Sequence, residues 1–150
     1  VYPVEKDDTD TMLAVKRGLA LGYRRFLLYG GMGGRRLDHT MANFQALAYL
    51  AAHNALGFLV GSDTLAAAIH RGTVNFPAGM GGVFSAFCLG SPARDVSIRG
   101  LYYQAEHITL TADFPLAVSN HFTGQPAQVE TQDGTLLLLW QRQSPLPGWN

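Results

Sequence analysis

Four acidic side chains are crowded near the start of the chain. Glu5, Asp7, Asp8 and Asp10 lie within six residues, where Asp8 or Thr9 can cap a helix. One or two acids suffice for capping and for interaction with the positive end of a helix, and further like charges repel one another. A divalent cation, which binds oxygen ligands, is the usual reason for such crowding. The cluster therefore predicts either helix capping or metal and polyphosphate chemistry.

A glycine-rich loop with two arginines is the second candidate. Residues 30–36 read Gly-Gly-Met-Gly-Gly-Arg-Arg and lie between a short apolar run and a helix start. Glycines let backbone N–H groups approach a phosphate, and Arg35 and Arg36 can neutralise its charge. The loop is neither a P-loop nor a clean dinucleotide-binding fingerprint, and a tight strand-to-helix turn explains it as well. Asp38 then either caps the helix or holds a cation or a ribose hydroxyl.

A polar segment interrupts the apolar pattern of the second half. Ser119 and Asn120 can donate or accept hydrogen bonds from a heterocycle, and an aromatic neighbour can stack on it. A turn between strands is the simpler interpretation, and residue types alone favour it. The segment is therefore a candidate binding site with a structural alternative.

Composition excludes several other classes of function. The 11 basic and 11 acidic residues balance to zero, which argues against nucleic acid or an anionic membrane as partner. With 47% hydrophobic and 15% charged residues the chain is not disordered, and no apolar run reaches the ~20 residues of a membrane span. A lone cysteine, Cys88, excludes an internal disulfide and a multi-cysteine zinc site, and it fits a reducing cytoplasm. The low charge also predicts apolar surface that a partner subunit covers.

The first third has helical periodicity around one strand. Apolar residues at helical spacing after Thr9 predict a helix that stops at Gly22, followed by a buried strand over residues 26–29. A second helix begins at Asp38 and ends near Asn54, before a strand over residues 56–60. Strands alternating with helices indicate part of a parallel βαβ sheet, whose ligand crevice lies where the strands end.

The remainder is a series of short strands and turns. Strands are predicted over residues 65–69, 73–76, 82–89, 96–99, 108–111, 127–130 and 135–140. The last two are joined through Asp133-Gly134, a strong hairpin signal. The fold class is therefore α/β followed by mainly β, a partial Rossmann-like parallel sheet with a C-terminal β-sandwich or partial barrel. Residues 144–150, with two prolines, are expected to form a loose tail.

Four motifs, in this order, resemble those of one family. Residues 3–10 are similar to an acidic Asp-x-Thr-Asp segment, and residues 33–43 to a Gly-Gly-Arg-x-Asp-His-Thr-x-Ala-Asn signature. Residues 100–103 and 115–122 are similar to a C-terminal pair, Gly-Leu-x-Tyr and Ser-Asn. Together they resemble the thiamine pyrophosphokinases, also called thiamine diphosphokinases, from residue 3 to about residue 140.

Two departures from the family pattern stand out. The signature has one residue between Arg and Asp where this chain has two, so either Arg35 or Arg36 takes the family position. The family's Gly-Asp-x-Asp-Ser motif, whose aspartates bind magnesium and substrate, has no counterpart in residues 1–150. We therefore expect a family member that lacks its N-terminal segment.

The resemblance implies Mg²⁺-dependent transfer of pyrophosphate from ATP to the hydroxyl of thiamine, giving thiamine diphosphate and AMP. It implies that residues 1–62 are the C-terminal part of an ATP-binding catalytic domain, that residues 63–143 are a thiamine-binding β-sandwich, and that homodimers share their active sites. Asp10 and Asp38 would be catalytic and would bind Mg²⁺, and Ser119 and Asn120 would contact thiamine. The ATP site would comprise Lys6, Asp7, Thr9, Gly33, Gly34, Arg35 and Arg36. Tyr103 or Phe122 would stack on the cationic ring of thiamine.

A second function remains open beside this one. The missing aspartates favour a non-catalytic remnant that keeps a nucleotide- or thiamine-binding pocket in a dimeric module. An unrelated β-sandwich interaction domain accounts poorly for four ordered motifs. We expect a cytoplasmic protein that binds thiamine and ATP, without nucleic acid or membrane.

Overall fold

A computed structural model describes residues 9–30 and 36–149 of the chain. The described residues form two helices and nine strands in one mixed sheet, so strand predominates. None of these helices is long and apolar enough to cross a membrane. In chain order the elements are α1 (Asp10–Ala20), β1 (Arg25–Tyr29), α2 (Leu37–Ala52), β2 (Leu56–Val60), β3 (Thr64–His70), β4 (Thr73–Phe76), β5 (Val83–Arg99), β6 (Ala105–Leu110), β7 (Asn120–His121), β8 (Ala127–Gln141) and β9 (Gly148–Trp149).

The first two helices and strands follow the predicted order closely. The N-cap of α1 is Thr9, whose hydroxyl oxygen accepts the N–H of Met12 at 3.2 Å. Gly22 follows the helix with φ +94°, a conformation that glycine adopts at little cost. The two strands pair in parallel, from Arg25 opposite Leu56 to Tyr29 opposite Val60. The α2 helix begins at Leu37, so Asp38 lies inside its first turn and is not the N-cap.

One face of this parallel pair is covered by both helices. Val15 of α1 and Leu50 of α2 are fully buried together, with Phe26 and Leu28 packed against them. Leu47 of α2 packs over β2 and β3 in a second cluster. Burial of a side chain of this size stabilises a fold by roughly 1.5–3 kcal/mol. This packing holds both helices on that face of the sheet.

The sheet continues without interruption across the predicted domain boundary at residues 62 and 63. Strand β2 pairs antiparallel with β3, and β3 pairs antiparallel with β8 over seven residue pairs. Strand β4 then pairs with the other end of β8, so β3 and β4 lie one after the other along the same side of that strand. The division of the chain into two domains stays a prediction.

The predicted hairpin at Asp133-Gly134 is wrong. Residues 127–141 form one continuous strand of 15 residues, β8, which pairs along its length with the 17-residue strand β5. Gly134 has a positive φ of +84° and lies opposite an irregularity in β5, where the register of the two strands shifts between Leu89 and Arg94. A Cβ at this position would lie 2.8 Å from Cα of Ala93. The glycine therefore permits close approach of a neighbouring strand rather than a reversal of the chain.

Candidate functional site

The starts of α1 and α2 lie at the same edge of the sheet. Each helix is joined to β1 by a short connection, and a helix packed in this way runs antiparallel to its parallel strands. Both helices therefore begin at the edge where β1 and β2 end, which we call the carboxyl edge. The N–H of Gly30, at the start of the glycine loop, donates to the carbonyl of Val60 at this edge. Open α/β sheets bind their ligands at such a position.

Arg36 and Asp38 form an ion pair at the carboxyl edge. Arg36 Nε donates to Asp38 Oδ1 at 3.0 Å, and Arg36 Nη2 donates to Asp38 Oδ2 at 2.9 Å. The hydrogen bond from Arg36, with further help from the N–H of His39, lowers the pKa of Asp38 to about 2. Because both side chains are about two-thirds exposed, the pair is accessible to a ligand.

Asp10 is exposed in the first turn of α1, directly after the capping residue Thr9. The cap hydrogen bond is made by Thr9, so the fold does not require the Asp10 carboxylate for it. The structure thus brings Thr9, Asp10, Arg36 and Asp38 to one edge. The other residues predicted for the ATP site, Lys6, Asp7, Gly33, Gly34 and Arg35, lie outside the described residues.

The described residues do not complete a magnesium site. Between residues 9 and 30 and between 36 and 149, no three His, Cys, Asp or Glu side chains come together in a way that could hold a metal ion. Asp10 and Asp38 have the hard oxygen donors that Mg²⁺ prefers. Both oxygens of Asp38, however, already accept hydrogen bonds from Arg36.

A groove of about 650 Å³ opens at the ends of β1 and β2. Leu27 and Tyr29 line it from the face of β1 opposite the helices, and their side chains are 51% and 70% exposed. Asp63 and Arg142 contribute charge, and Arg142 is held by a hydrogen bond from Nη1 to the carbonyl of Gly61. The groove is within the usual size range of small-molecule sites.

Two segments of the β-rich half, residues 100–104 and 119–123, are joined by hydrogen bonds. The N–H of Tyr102 donates to the carbonyl of His121 at 2.9 Å. The hydroxyl of Thr123 donates to the carbonyl of Gly100 at 3.1 Å. The side chain of Asn120 binds the backbone of Tyr103 at both its N–H and its carbonyl. The two C-terminal motifs of the sequence are therefore one structural unit.

A cavity of about 380 Å³ lies beside this unit. Its wall is mostly apolar, and Tyr103, Gln104 and Asn120 are its aromatic and polar residues. Tyr103 is 64% exposed and packs edge-on against Tyr102 at 4.9 Å between ring centroids. The lining residues are Ile98, Tyr103, Gln104, Ala105, Ile108, Leu116, Ala117, Val118 and Asn120.

Ser119 and Phe122, which were also predicted for the thiamine site, do not line the cavity as Asn120 does. Ser119 lies between cavity residues in sequence but does not line the cavity; it has φ +62° and its N–H donates to Ser85 Oγ. Phe122 is only 7% exposed and packs against Phe76 and Phe84 in the core. Phe122 is therefore not available for stacking on a ligand, whereas Tyr103 is.

Comparison with known families decides what kind of protein carries these two sites. The model of the thiamin pyrophosphokinase catalytic domain matches residues 1–58, and the model of the thiamin pyrophosphokinase vitamin B1 binding domain matches residues 71–136. The chain belongs to the thiamin pyrophosphokinase family. The carboxyl edge, with Asp10, Arg36 and Asp38, falls in the first match, and every residue lining the cavity falls in the second.

Solved structures of thiamine pyrophosphokinases share the fold. The enzyme from Bacillus subtilis superposes with a TM-score of 0.82 at 20% identity, covering 93% of this chain and 66% of that one. The enzyme from Geobacillus thermodenitrificans gives 0.78 at 22% identity, covering 96% and 66%. Yeast thiamin pyrophosphokinase gives 0.64 at 20% identity, covering 77% and 39%. The chain thus spans just under two-thirds of the two bacterial chains. A search of curated proteins found no match.

Sequence reasoning missed much of the cavity. Gln104, Ala105 and Ile108 line it from β6 and the segment before it, but their residue types gave no signal of a site. The order of the two C-terminal motifs was informative, since it placed both segments in one family pattern. It did not reveal that they are bound to one another.

Proposed function

We propose that this member of the thiamin pyrophosphokinase family transfers pyrophosphate from ATP to the hydroxyl of thiamine, giving thiamine diphosphate and AMP. One observation carries the proposal: the two family matches contain two separate, chemically suitable sites. The charged carboxyl edge lies within the catalytic match, and the apolar cavity with its aromatic rim lies within the vitamin B1 binding match.

Thiamine is assigned to the 380 Å³ cavity. Its two flat rings suit an apolar wall formed by Ile98, Ile108 and Leu116. Its positively charged thiazolium ring suits the exposed face of Tyr103, because the face of an aromatic ring attracts cations. Asn120 belongs to the cavity wall, and Ser119 remains a proposed thiamine contact at its rim.

ATP is assigned to the carboxyl edge. Arg36 is an exposed guanidinium that can bind phosphate oxygens through two parallel hydrogen bonds, as it now binds Asp38. The start of α2 adds positive potential, and the adjacent 650 Å³ groove offers apolar surface for the nucleoside. Thr9 is proposed to lie near the nucleotide, with Lys6, Asp7, Gly33, Gly34 and Arg35 completing the site. Mg²⁺ brought with ATP would neutralise phosphate charge, with Asp10 and Asp38 as the proposed ligands.

The transfer needs two substrates in line rather than a covalent enzyme intermediate. The hydroxyl oxygen of thiamine forms a bond to the β-phosphorus of ATP, while the bond from that phosphorus to the α–β bridging oxygen breaks and AMP leaves. The proton of the hydroxyl passes to a base, a role we give to the exposed carboxylate of Asp10. Most of the acceleration then comes from positioning and charge neutralisation.

We further propose a cytoplasmic homodimer with active sites between subunits. Residues 1–62 would be the end of a Rossmann-like catalytic domain and residues 63–143 a thiamine-binding sandwich. Residues 144–150 would be a tail that is attached to the sheet by the pairing of β9 with β4. Support for the dimer comes from apolar side chains that are more than half exposed beside the cavity, including Phe114 and Leu116. The single cysteine supports a reducing compartment.

A non-catalytic binding module is the second candidate. It is favoured by the hydrogen bonds that occupy both oxygens of Asp38 and by the absence of a Gly-Asp-x-Asp-Ser motif from residues 1–150. Such a module would bind thiamine or nucleotide without turnover.

Product analysis separates the two candidates. The 150-residue chain is incubated with thiamine, ATP and Mg²⁺, and nucleotides and thiamine phosphates are separated by chromatography. We expect AMP and thiamine diphosphate in equal amounts, formed slowly because residues 1–150 lack the family's Gly-Asp-x-Asp-Ser motif, and no AMP when thiamine is omitted. Formation of ADP with thiamine monophosphate would contradict pyrophosphoryl transfer. Thiamine binding without AMP would favour the binding module.

A further inference from the structure

The side chain of Asn120 is buried and almost fully hydrogen-bonded within the protein. It is 4% exposed. Its Oδ1 accepts the N–H of Tyr103 and the N–H of His121, each at 2.9 Å. Its Nδ2 donates to the carbonyl of Tyr103 at 2.8 Å.

These bonds leave little of the amide for a ligand. An asparagine side chain offers two acceptor positions and two N–H donors. Both acceptor positions and one donor of Asn120 are used by backbone groups. Loss of these bonds would leave partly buried backbone groups unsatisfied, so thiamine cannot take the amide oxygen without cost.

The residue that Asn120 holds is Tyr103, the aromatic residue that lines the cavity. Tyr103 lies in the 100–104 segment, outside any strand, and its ring is largely exposed. Its N–H and its carbonyl both bind Asn120, which fixes the peptide planes on either side of its Cα. Those two planes set the direction in which the ring leaves the backbone.

We infer that Asn120 is a positioning residue, which acts on a cationic heterocycle by holding the ring face of Tyr103 toward it, and not by binding the ligand with its own amide oxygen. The inference rests on the proposed function, since it takes thiamine as the ligand. In this arrangement Tyr103 recognises the positive charge, and Asn120 sets the orientation of Tyr103.

A double-mutant cycle on thiamine affinity tests this inference. Dissociation constants are measured by calorimetry for the unmodified chain, Tyr103→Leu, Asn120→Ala and the double variant. Tyr103→Phe is the control that keeps the ring. An analogue of thiamine with a neutral thiophene ring is titrated in parallel, because it removes the charge and keeps the shape.

We expect Tyr103→Leu to weaken thiamine binding roughly 2- to 30-fold, the range for a cation on an aromatic face, and to affect the neutral analogue less. Asn120→Ala should weaken thiamine binding similarly in the unmodified chain and less than about twofold in the Tyr103→Leu background, because residues acting as a unit are not additive. The same fold-loss from Asn120→Ala in both backgrounds would overturn the inference, as would equal losses for thiamine and its neutral analogue.

Folding of each variant is checked by circular dichroism. Exchange of the Tyr103 amide proton, which should be protected in the unmodified chain and exposed in Asn120→Ala, then shows that the bond itself is lost. If Asn120→Ala does not fold, Asn120→Ser replaces it, since a hydroxyl can still meet a buried N–H. Failure of the unmodified chain to bind thiamine would refute the proposed function itself. Binding by the unmodified chain with independent effects of the two residues would refute the positioning role alone.

Discussion

Arg36 and Asp38 bind one another through two hydrogen bonds of 3.0 and 2.9 Å, two residues apart at the start of α2. The guanidinium that we propose to bind the phosphates of ATP is therefore held by a carboxylate. A phosphate that binds Arg36 must either share the guanidinium with Asp38 or displace the Asp38 carboxylate. The family signature has one residue between its arginine and its aspartate, and Arg36, which pairs with Asp38, is separated from it by Leu37 alone.

This ion pair predicts a pH-dependent contribution to stability. The pKa of Asp38 is lowered from 3.8 to about 2 in the folded chain by its bonds to Arg36. The contribution is therefore present above the unfolded pKa and is lost as the pH falls through about 2. The melting temperature of Asp38→Asn should lie slightly below that of the unmodified chain at pH 5, and the gap should close near pH 2. Arg36→Gln should show the same behaviour, and a gap independent of pH would contradict the pair.

Asp10→Asn should lower the rate of AMP formation by a factor on the order of 10² to 10³, as expected when one charged group is lost from a preorganised phosphoryl site. Because Thr9 makes the cap bond, this change should leave the helix intact. Steady-state rates with ATP and thiamine provide the measurement, and circular dichroism checks the fold. Asp8→Asn is the matched control and should do much less. Equal losses from both would mean that the acids act on the helix, not on the reaction.

Gly100→Ala should destabilise the unit formed by residues 100–104 and 119–123. Its φ is +78°, and an added Cβ would lie 2.1 Å from the carbonyl oxygen of Pro126. Gly90 has a similar φ of +76° with nothing within 4 Å, so Gly90→Ala isolates the backbone strain of about 1–2 kcal/mol. Urea unfolding should give a clearly larger loss for Gly100→Ala. Equal losses would show that the close approach to Pro126 has no energetic effect.

His107 and Asp95 should give stability that is lost at alkaline pH. They pair across β6 and β5, with Glu106 and Arg99 as the other charged neighbours. The hydrogen bond that His107 donates to Asp95 raises the pKa of His107 above 6.5, so the contribution is complete below pH 6.5 and disappears as the pH rises through the folded value. The melting temperature of His107→Gln should lie below that of the unmodified chain at pH 5.5 and approach that value at pH 9. Asp95→Asn should reproduce this trend, and a constant difference would refute it.

Local sequence signals predicted the first third of the fold well. Thr9, Gly22 and the apolar spacing of α1 and α2 each act within a few residues, and the strand at 56–60 was predicted with its observed ends. The hairpin prediction failed because a glycine with positive φ occurs at irregularities within a strand as well as at turns. Only the partner strand decides between the two, and β5 lies about 40 residues earlier in the chain than Gly134.

The sequence named residues of the candidate site but not the contacts between them. Residue types singled out Asn120 and the family resemblance singled out Tyr103, yet the bonds between them join residues 17 apart. Phe122 was a reasonable stacking candidate by type, but its burial depends on Phe76 and Phe84, which local sequence does not place beside it. Such contacts follow from tertiary packing, which a single sequence does not encode locally.

The central claim, a thiamine site in the cavity between residues 98–108 and 116–120, is tested most directly by nuclear magnetic resonance on the ¹⁵N-labelled chain. Thiamine is titrated while backbone amide resonances are followed. The account predicts saturable shifts for Tyr103, Gln104, Ala105 and Val118, which line the cavity, and none for Gly90, which is exposed on β5 away from it. Absence of saturable shifts in the cavity residues, or shifts confined to other parts of the chain, would contradict it.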